Sequence, residues 1–278
     1  MIFFVVTNFN NSRYTVQLYE SIVSSDVDDF RMVIVDNASI QAEFTKLKIH
    51  FRAVTNVQLI RSQTNLGYFA GLNLGLSCVR NQVDDGDAIV IGNNDLIIDK
   101  KFAEQLQRSQ NILREFPVIS PAIITLDGQH QNPHVVEGIS WLREVMYDVY
   151  YSSFFMATML KLLASALGSL AARGDEKHHT VGRRINQGYG ACYLLSKRFL
   201  DKYVSLWSPT FLMYEEYFLS KQLEKGGDAV YFHPDIVVHH QCHASTGALP
   251  ARELWTLARQ SHATYRSHNP LGVSRSMK

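Results

Sequence analysis

Through the first 125 residues, short apolar runs alternate with stretches of helical spacing, and few folds accept that rhythm. The runs are "IFFVV" (2–6), "RMVIV" (31–35), "VQLI" (57–60), "AIVI" (88–91) and "PVIS" (117–120). Each is rich in β-branched or aromatic residues and bounded by polar or turn residues, as strands buried on both faces are. Between them, Tyr14, Leu18 and Ile22 share one helical face, and Phe44, Leu47 and Phe51 share a second. Phe69, Leu72, Leu76 and Val79 make a third, and Phe102, Leu106 and Leu113 a fourth. Strand and helix in repeated alternation predict an α/β fold with a parallel sheet joined by right-handed crossovers.

In such a sheet, ligands bind beyond the carboxyl ends of the strands. The segments that follow the apolar runs are "TNFN" (7–10), "DNAS" (36–39), "SQTNLG" (62–67) and "NND" (93–95). Any one of them reads as a helix cap or an Asx turn. Four converging on one rim read as a polar site for a nucleotide.

At 278 residues and 46% hydrophobic, the chain can bury a substantial core, and its net charge of +1 argues against a nucleic-acid partner. Cys78, Cys192 and Cys242 are odd in number and far apart, so neither a disulfide framework nor a four-cysteine zinc site is expected, and a reducing cytoplasm fits best. The opening "MIFFVVTNFN" reads as a first strand and not as a leader.

Residues 126–185 break the alternation. After the turn-like "DGQHQNP", Trp141 to Ala172 carries no strong turn signal and includes the apolar "FFMATMLKLLASALGSLAA" (154–172), interrupted by Lys161, Ser165, Gly168 and Ser169. That composition predicts a helix or helical hairpin that packs on the domain or lies on a membrane surface, and not a span. The same patch would equally serve a homodimer. A compact pattern resumes over 186–249, and 250–278 reads as one helix with a basic tail (Arg252, Arg259, Arg266, Arg275, Lys278).

Taken in order, "VVTNFN", "VDNAS", "NLGYFAGLNLG", "GNNDL", "GACYLLSK", "MYEEYFL", "GDAVYFHP" and "VVHHQCHAS" resemble the family 2 inverting glycosyltransferases of GT-A fold, particularly the bacterial transferases, rhamnosyltransferase-like among them, that build O-antigen and capsule chains. No one motif is specific; eight in order are. The resemblance implies a mixed, mostly parallel sheet flanked by helices, and divides the chain into a GT-A domain over 1–249 and a C-terminal helix and tail over 250–278. Within the domain, 1–125 would bind the nucleotide sugar, 126–185 would be a helical insertion, and 186–249 would be the acceptor half.

The resemblance also implies roles. Thr7, Asn8 and Asn10 with Asp36 and Asn37 would hold base and ribose. Asn65 and Gly67 would lie near ribose or diphosphate, the glycine permitting close backbone approach. Asn73 would brace that loop. Asp95, beside Asn93 and Asn94, would reach Mg²⁺ or Mn²⁺ on the diphosphate, a single acid sufficing because such cations keep waters and substrate oxygens as ligands. One of His239 and His240, with His239 preferred, would contact metal or diphosphate. Glu216 takes the place of the family's usual Asp and would be the general base, with Glu215 as second choice. Flanking Tyr214, Tyr217 and Phe218 would desolvate the carboxylate and raise its pKa. The expected acceptor is a lipid-linked oligosaccharide at the inner membrane face.

Other readings fit less well. A Rossmann dehydrogenase fails because "VVTNFNNSR" contains no glycine where the first helix should open. His239, His240, Cys242 and His243 lie close together but lack the separated ligand pairs of structural zinc sites. A catalytically silent nucleotide-sugar-binding subunit is the alternative from another class.

Overall fold

The computed structural model describes residues 1–167, 178–242 and 251–271. His243, Arg275, Lys278, the expected boundary at 249 and the end of the apolar stretch (168–172) lie outside them. The expected alternation is present in the first half. It runs β1 (Ile2–Asn8), α1 (Ser12–Val23), β2 (Phe30–Asp36), α2 (Gln41–His50), β3 (Val57–Arg61), α3 (Tyr68–Val79) and β4 (Ala88–Asn93). A short β5 (Leu96–Ile98), α4 (Phe102–Arg108), α5 (Gln110–Glu115) and β6 (Val118–Thr125) complete it.

The insertion supplies α6 (Trp141–Ser152) and α7 (Phe154–Leu167). The chain then returns through β7 (Arg183–Ile185), β8 (Cys192–Ser196), α8 (Lys197–Lys202), α9 (Glu215–Lys225) and β9 (Val230–His240), and α10 (Ala251–His268) follows. One mixed sheet has the order β3-β2-β1-β4-β8-β6-β9-β5, with β7 beside β9.

Period-two alternation explains the layers. Phe3, Val5, Val33, Val35, Ile89 and Ile91 pack beneath α3 on one face, while Phe4, Val6, Met32, Ile34 and Val90 pack against α1 and α4 on the other. Both faces being covered, strands β1, β2 and β4 read as unbroken apolar runs.

Register then decides where the site lies. In the parallel pairs, Asn8 stands opposite Asp36, Thr7 opposite Asn93, and Asp36 opposite Arg61, so the carboxyl ends finish flush on one rim. β8 runs antiparallel to β4 and pairs Cys192 with Gly92. The segment entering β8 therefore arrives at the same rim.

Residues 141–167 form a helical hairpin and not one helix. Ser153, extended at φ −154° and ψ 155°, separates α6 from α7. α10 docks on α6 through a buried polar cluster: Arg266 reaches Glu144 at 3.0 Å and Asp148 at 2.7 Å, and His262 Nε2 meets Asp148 at 2.8 Å. His262 Nδ1 lies 2.7 Å from the Tyr214 hydroxyl, which ties both helices to the start of α9.

Candidate active site

The first polar rim segments are turned inward. Asn8 Nδ2 donates to Asp36 Oδ1 at 2.9 Å and Ser39 Oγ at 3.1 Å, while its Oδ1 accepts from Thr15 Oγ1 and Asn94 Nδ2. Asn94 Nδ2 also donates to Asn11 Oδ1 and Thr15 Oγ1, each at 2.7 Å. Asp36 takes the Ser39 N–H and faces Arg61 Nε at 3.5 Å. Asn37 clamps the next loop, donating to Gly67 O at 2.9 Å and accepting from Leu66 N at 2.8 Å. Asn8, Asp36, Asn37 and Asn94 are all buried. The hydrogen-bonding groups of these four side chains hold the loop ends to one another, Asn8, Asp36 and Asn37 being those the resemblance places at base and ribose.

Gly67 differs in the same way. Its φ is +85°, and a Cβ there would lie 2.2 Å from Phe211 O, so the close backbone approach is to the chain's own 211 segment. Tyr68 N donates to that same carbonyl at 3.0 Å. Asn65 Oδ1 closes an Asx turn onto Gly67 N at 3.0 Å. Asn73 pins residue 206, donating to Leu206 O and accepting from Leu206 N at 2.8 Å each. Asn10 is exposed at φ +56°, with its Oδ1 accepting from Ile40 N. Thr7 is half-buried at the end of β1.

Asp95 follows β4 and is nearly closed off from solvent. Its Oδ1 lies 3.2 Å from His240 Nε2. His240 Nδ1 is 2.8 Å from Gln131 Oε1, and Asn93 Nδ2 approaches Nε2 at 3.4 Å. Gln131 and Asn93 thus orient the imidazole, with Nε2 facing the Asp95 carboxylate. His239 lies 3.9 Å from Asp99 instead. Alternation along β9 sends adjacent histidines to opposite faces, so His240, and not the preferred His239, is the one beside Asp95. Among the described residues, no group of three or more His, Cys, Asp and Glu is placed to hold a metal ion. His239, His240 and Cys242 make no zinc site.

The acidic pair arrives from the other side. Tyr214 adopts a left-handed conformation, φ +67°, and α9 begins at Glu215. Glu216 Oε1 accepts the Gly190 N–H at 3.1 Å, and a Cβ on residue 190 would lie 2.6 Å from that oxygen, so only glycine lets the carboxylate in. Asn93 N donates to Ala191 O at 2.9 Å and the Tyr68 hydroxyl to Gly190 O at 2.7 Å. Burial pushes the Tyr68 phenol well up, with contributions from Cys192, Glu215, Glu216 and Asp95. One tyrosine thus feels the acids of α9 and of β4 together.

Glu215 is the buried member, 4% exposed, and its Oε1 has no hydrogen-bond partner among the described residues. Burial first, and then the charge of Glu216, push its carboxyl up to about 8. The desolvation expected of the pair falls on this residue. Because the folded value lies above the ordinary 4.5, the stability this group confers is full below that pH and is lost as pH rises through about 8. Glu215→Gln is therefore expected to unfold at a higher temperature than the parent at pH 9 and to lose that advantage at pH 5. Thermal melts across that range would show it; parallel curves would remove the buried-acid assignment.

Several site residues carried no signal in the sequence. Gln131 lies in a turn-like segment and reaches His240 only through the fold. Ser39, Thr15 and Arg61 support the rim, Arg61 with its guanidinium stacked 4.3 Å over Phe44.

A family model described as Glycosyl transferase family 2 matches residues 3–136, just under half of the 278 residues and including Asp95 but neither the acidic pair nor His240. No curated protein matches the sequence. Among solved structures, S. aureus TarS 1–349 in complex with UDP-GlcNAc is similar at a TM-score of 0.56 and 11% identity, over 99% of this chain and 68% of that one. GalNAc-T7 with UDP, GalNAc and Mn²⁺ is similar at 0.56 and 12%, over 90% of this chain and 45% of that one. TarS 1–349 with UDP gives 0.53 and 13%, over 100% and 75%. At such identities the likeness speaks for the fold. Residues 3–136 thus match a model of glycosyl transferase family 2, within a GT-A-like fold that runs the length of the chain.

Proposed function

We propose that the protein moves a sugar, with inversion, from a UDP- or dTDP-linked donor to a hydroxyl of a lipid-linked oligosaccharide in bacterial surface polysaccharide assembly, working at the cytoplasmic face of the membrane. One observation carries this reading. The Gly190–Cys192 segment gathers the end of β4, with Asp95 and His240 beside it, and the acids that open α9. A diphosphate site and a proton acceptor on two sides of one short segment suit a single displacement at an anomeric carbon. The bound ligands of the structural neighbours, UDP-GlcNAc in TarS and UDP in GalNAc-T7, support a uridine nucleotide as donor.

In this mechanism the acceptor oxygen attacks the anomeric carbon, the bond from that carbon to the diphosphate oxygen breaks, and the hydroxyl proton passes to Glu216. Glu215, pushed up to about 8, holds its own proton at neutral pH, so Glu216 is the carboxylate able to receive one. Thr7, Asn10 and Asn65 are the rim residues with side chains accessible to base and ribose, and Arg61 adds a cation there.

A divalent cation suits the Asp95 and His240 pair on the chemistry of the donors: a buried carboxylate oxygen and an imidazole nitrogen, both able to ligate such a cation, lie 3.2 Å apart. Diphosphate and water oxygens would complete the coordination. Bound there, Mg²⁺ or Mn²⁺ would neutralise charge on the departing diphosphate.

The reading is tested by nucleoside diphosphate release over a panel of UDP- and dTDP-sugars, with and without membrane extract as acceptor. Release that rises on adding extract is expected. Tight nucleotide binding with no turnover on any donor would instead favour a silent binding subunit.

A further inference from the structure

The helical insertion presents an apolar face that none of the described residues covers. On α6, Trp141, Leu142 and Met146 are exposed, Trp141 at 68%; on α7, Phe155, Leu162 and Leu163 are exposed, Phe155 at 70%. Leu142 and Met146 are four apart and Phe155 and Leu162 seven apart, so each helix carries a stripe, and the two helices pack side by side.

Charge is sorted across the same hairpin. The acids of α6, Glu144 and Asp148, are turned onto Arg266 and His262. α7 contains no acid at all. The cations point outward, each over an aromatic ring at the margin: Lys161 lies 5.9 Å over Tyr150, Arg252 6.0 Å over Phe154, and Arg259 5.4 Å over Trp255. Glu253 is the one acid in α10. Apolar stripes bordered by snorkelling cations match a helix pair lying in a lipid interface. No described helix is long and apolar enough to cross a membrane, so the hairpin would lie on the surface.

We infer that this face seats the protein on an anionic lipid surface, with Trp141, Phe155 and Leu162 among the acyl chains and Lys161, Arg252 and Arg259 at the headgroups. The hairpin is also joined to the reacting end of the site. Tyr151, closing α6, packs 6.5 Å from Tyr214, which immediately precedes the acidic pair. A lipid-linked acceptor held in that surface would reach Glu216 from the membrane side; this link rests on the proposed acceptor, whereas the seating does not.

The test is co-sedimentation of the full chain with vesicles of phosphatidylcholine alone or of equimolar phosphatidylcholine and phosphatidylglycerol. Binding to the anionic vesicles that weakens with added salt is expected. Lys161→Glu with Arg252→Glu should weaken it by roughly fivefold or more for each cation, and Phe155→Asp with Leu162→Asp should abolish it. These side chains are exposed, so UDP affinity and melting temperature should stay at the parent's values. Equal binding to neutral vesicles, no vesicle binding, or full binding by the Phe155/Leu162 variant would each overturn the inference. So would a parent dimer that the same variant splits, which would make the face a contact between two copies. The vesicles hold no saccharide, so the outcomes separate: vesicle binding without transfer would count against the proposed reaction alone, and transfer to a soluble oligosaccharide without vesicle binding against the seating alone.

Discussion

Glu216→Gln is expected to slow sugar transfer by about 10²- to 10⁴-fold, the range a positioned general base contributes, with UDP affinity unchanged. Glutamine keeps an oxygen for the Gly190 N–H, so the loop contact at 3.1 Å survives and only basicity is lost. The loss should appear in kcat and not in KM, because the proton moves only as the transition state forms. Glu215→Gln gives the contrast. Its carboxyl is buried and mostly protonated at neutral pH, so an isosteric amide should cost far less rate there. Should Glu215→Gln be the dead variant and Glu216→Gln the active one, the two roles would have to be exchanged.

Asp95→Ala is expected to lower transfer at least about a hundredfold and to remove any response to added Mn²⁺. Charge neutralisation at a diphosphate is worth several kcal/mol, and each 1.4 kcal/mol is about tenfold in rate. His240→Ala should follow in the same direction, because its Nε2 lies 3.2 Å from Asp95, whereas His239→Ala, 3.9 Å from Asp99 on the other face of β9, should be nearly silent. Rates at graded Mn²⁺ after EDTA treatment would settle both points. A parent enzyme indifferent to EDTA would end the metal role of Asp95, and equal losses at both histidines would end the distinction between them.

Much of the fold was legible because burial leaves a periodic trace. The five apolar runs are β1, β2, β3, β4 and β6, and the helical faces expected from Leu18, Leu47, Phe69 and Phe102 are all buried. β5 and β7, three residues each, left no such trace. Short edge strands are set by what they pair with. Ser153 likewise separates α6 from the apolar α7 without glycine or proline to announce it.

The site was legible by position more than by role. Asn8, Asp36, Asn37 and Asn94 do gather at the carboxyl rim, yet they face one another there. Polar side chains at strand ends suit a ligand and suit a buried network equally well, and composition is the same in both. The glycines told a similar story. Gly67 and Gly190 do admit close approach, one to the Phe211 backbone and the other to the Glu216 carboxylate.

Sequence alone determined the alternation of strand and helix, the rim on which a ligand would lie, and the ordered motifs that resemble a sugar transferase. These follow from local spacing and from chain order, which the residues carry with them. Only the tertiary structure decided which of two adjacent histidines meets Asp95, which of two adjacent acids is buried, and that Gln131 orients the imidazole. Each of those choices depends on strand register and on the direction a helix starts, quantities set by contacts between residues more than a hundred positions apart, such as Gln131 with His240.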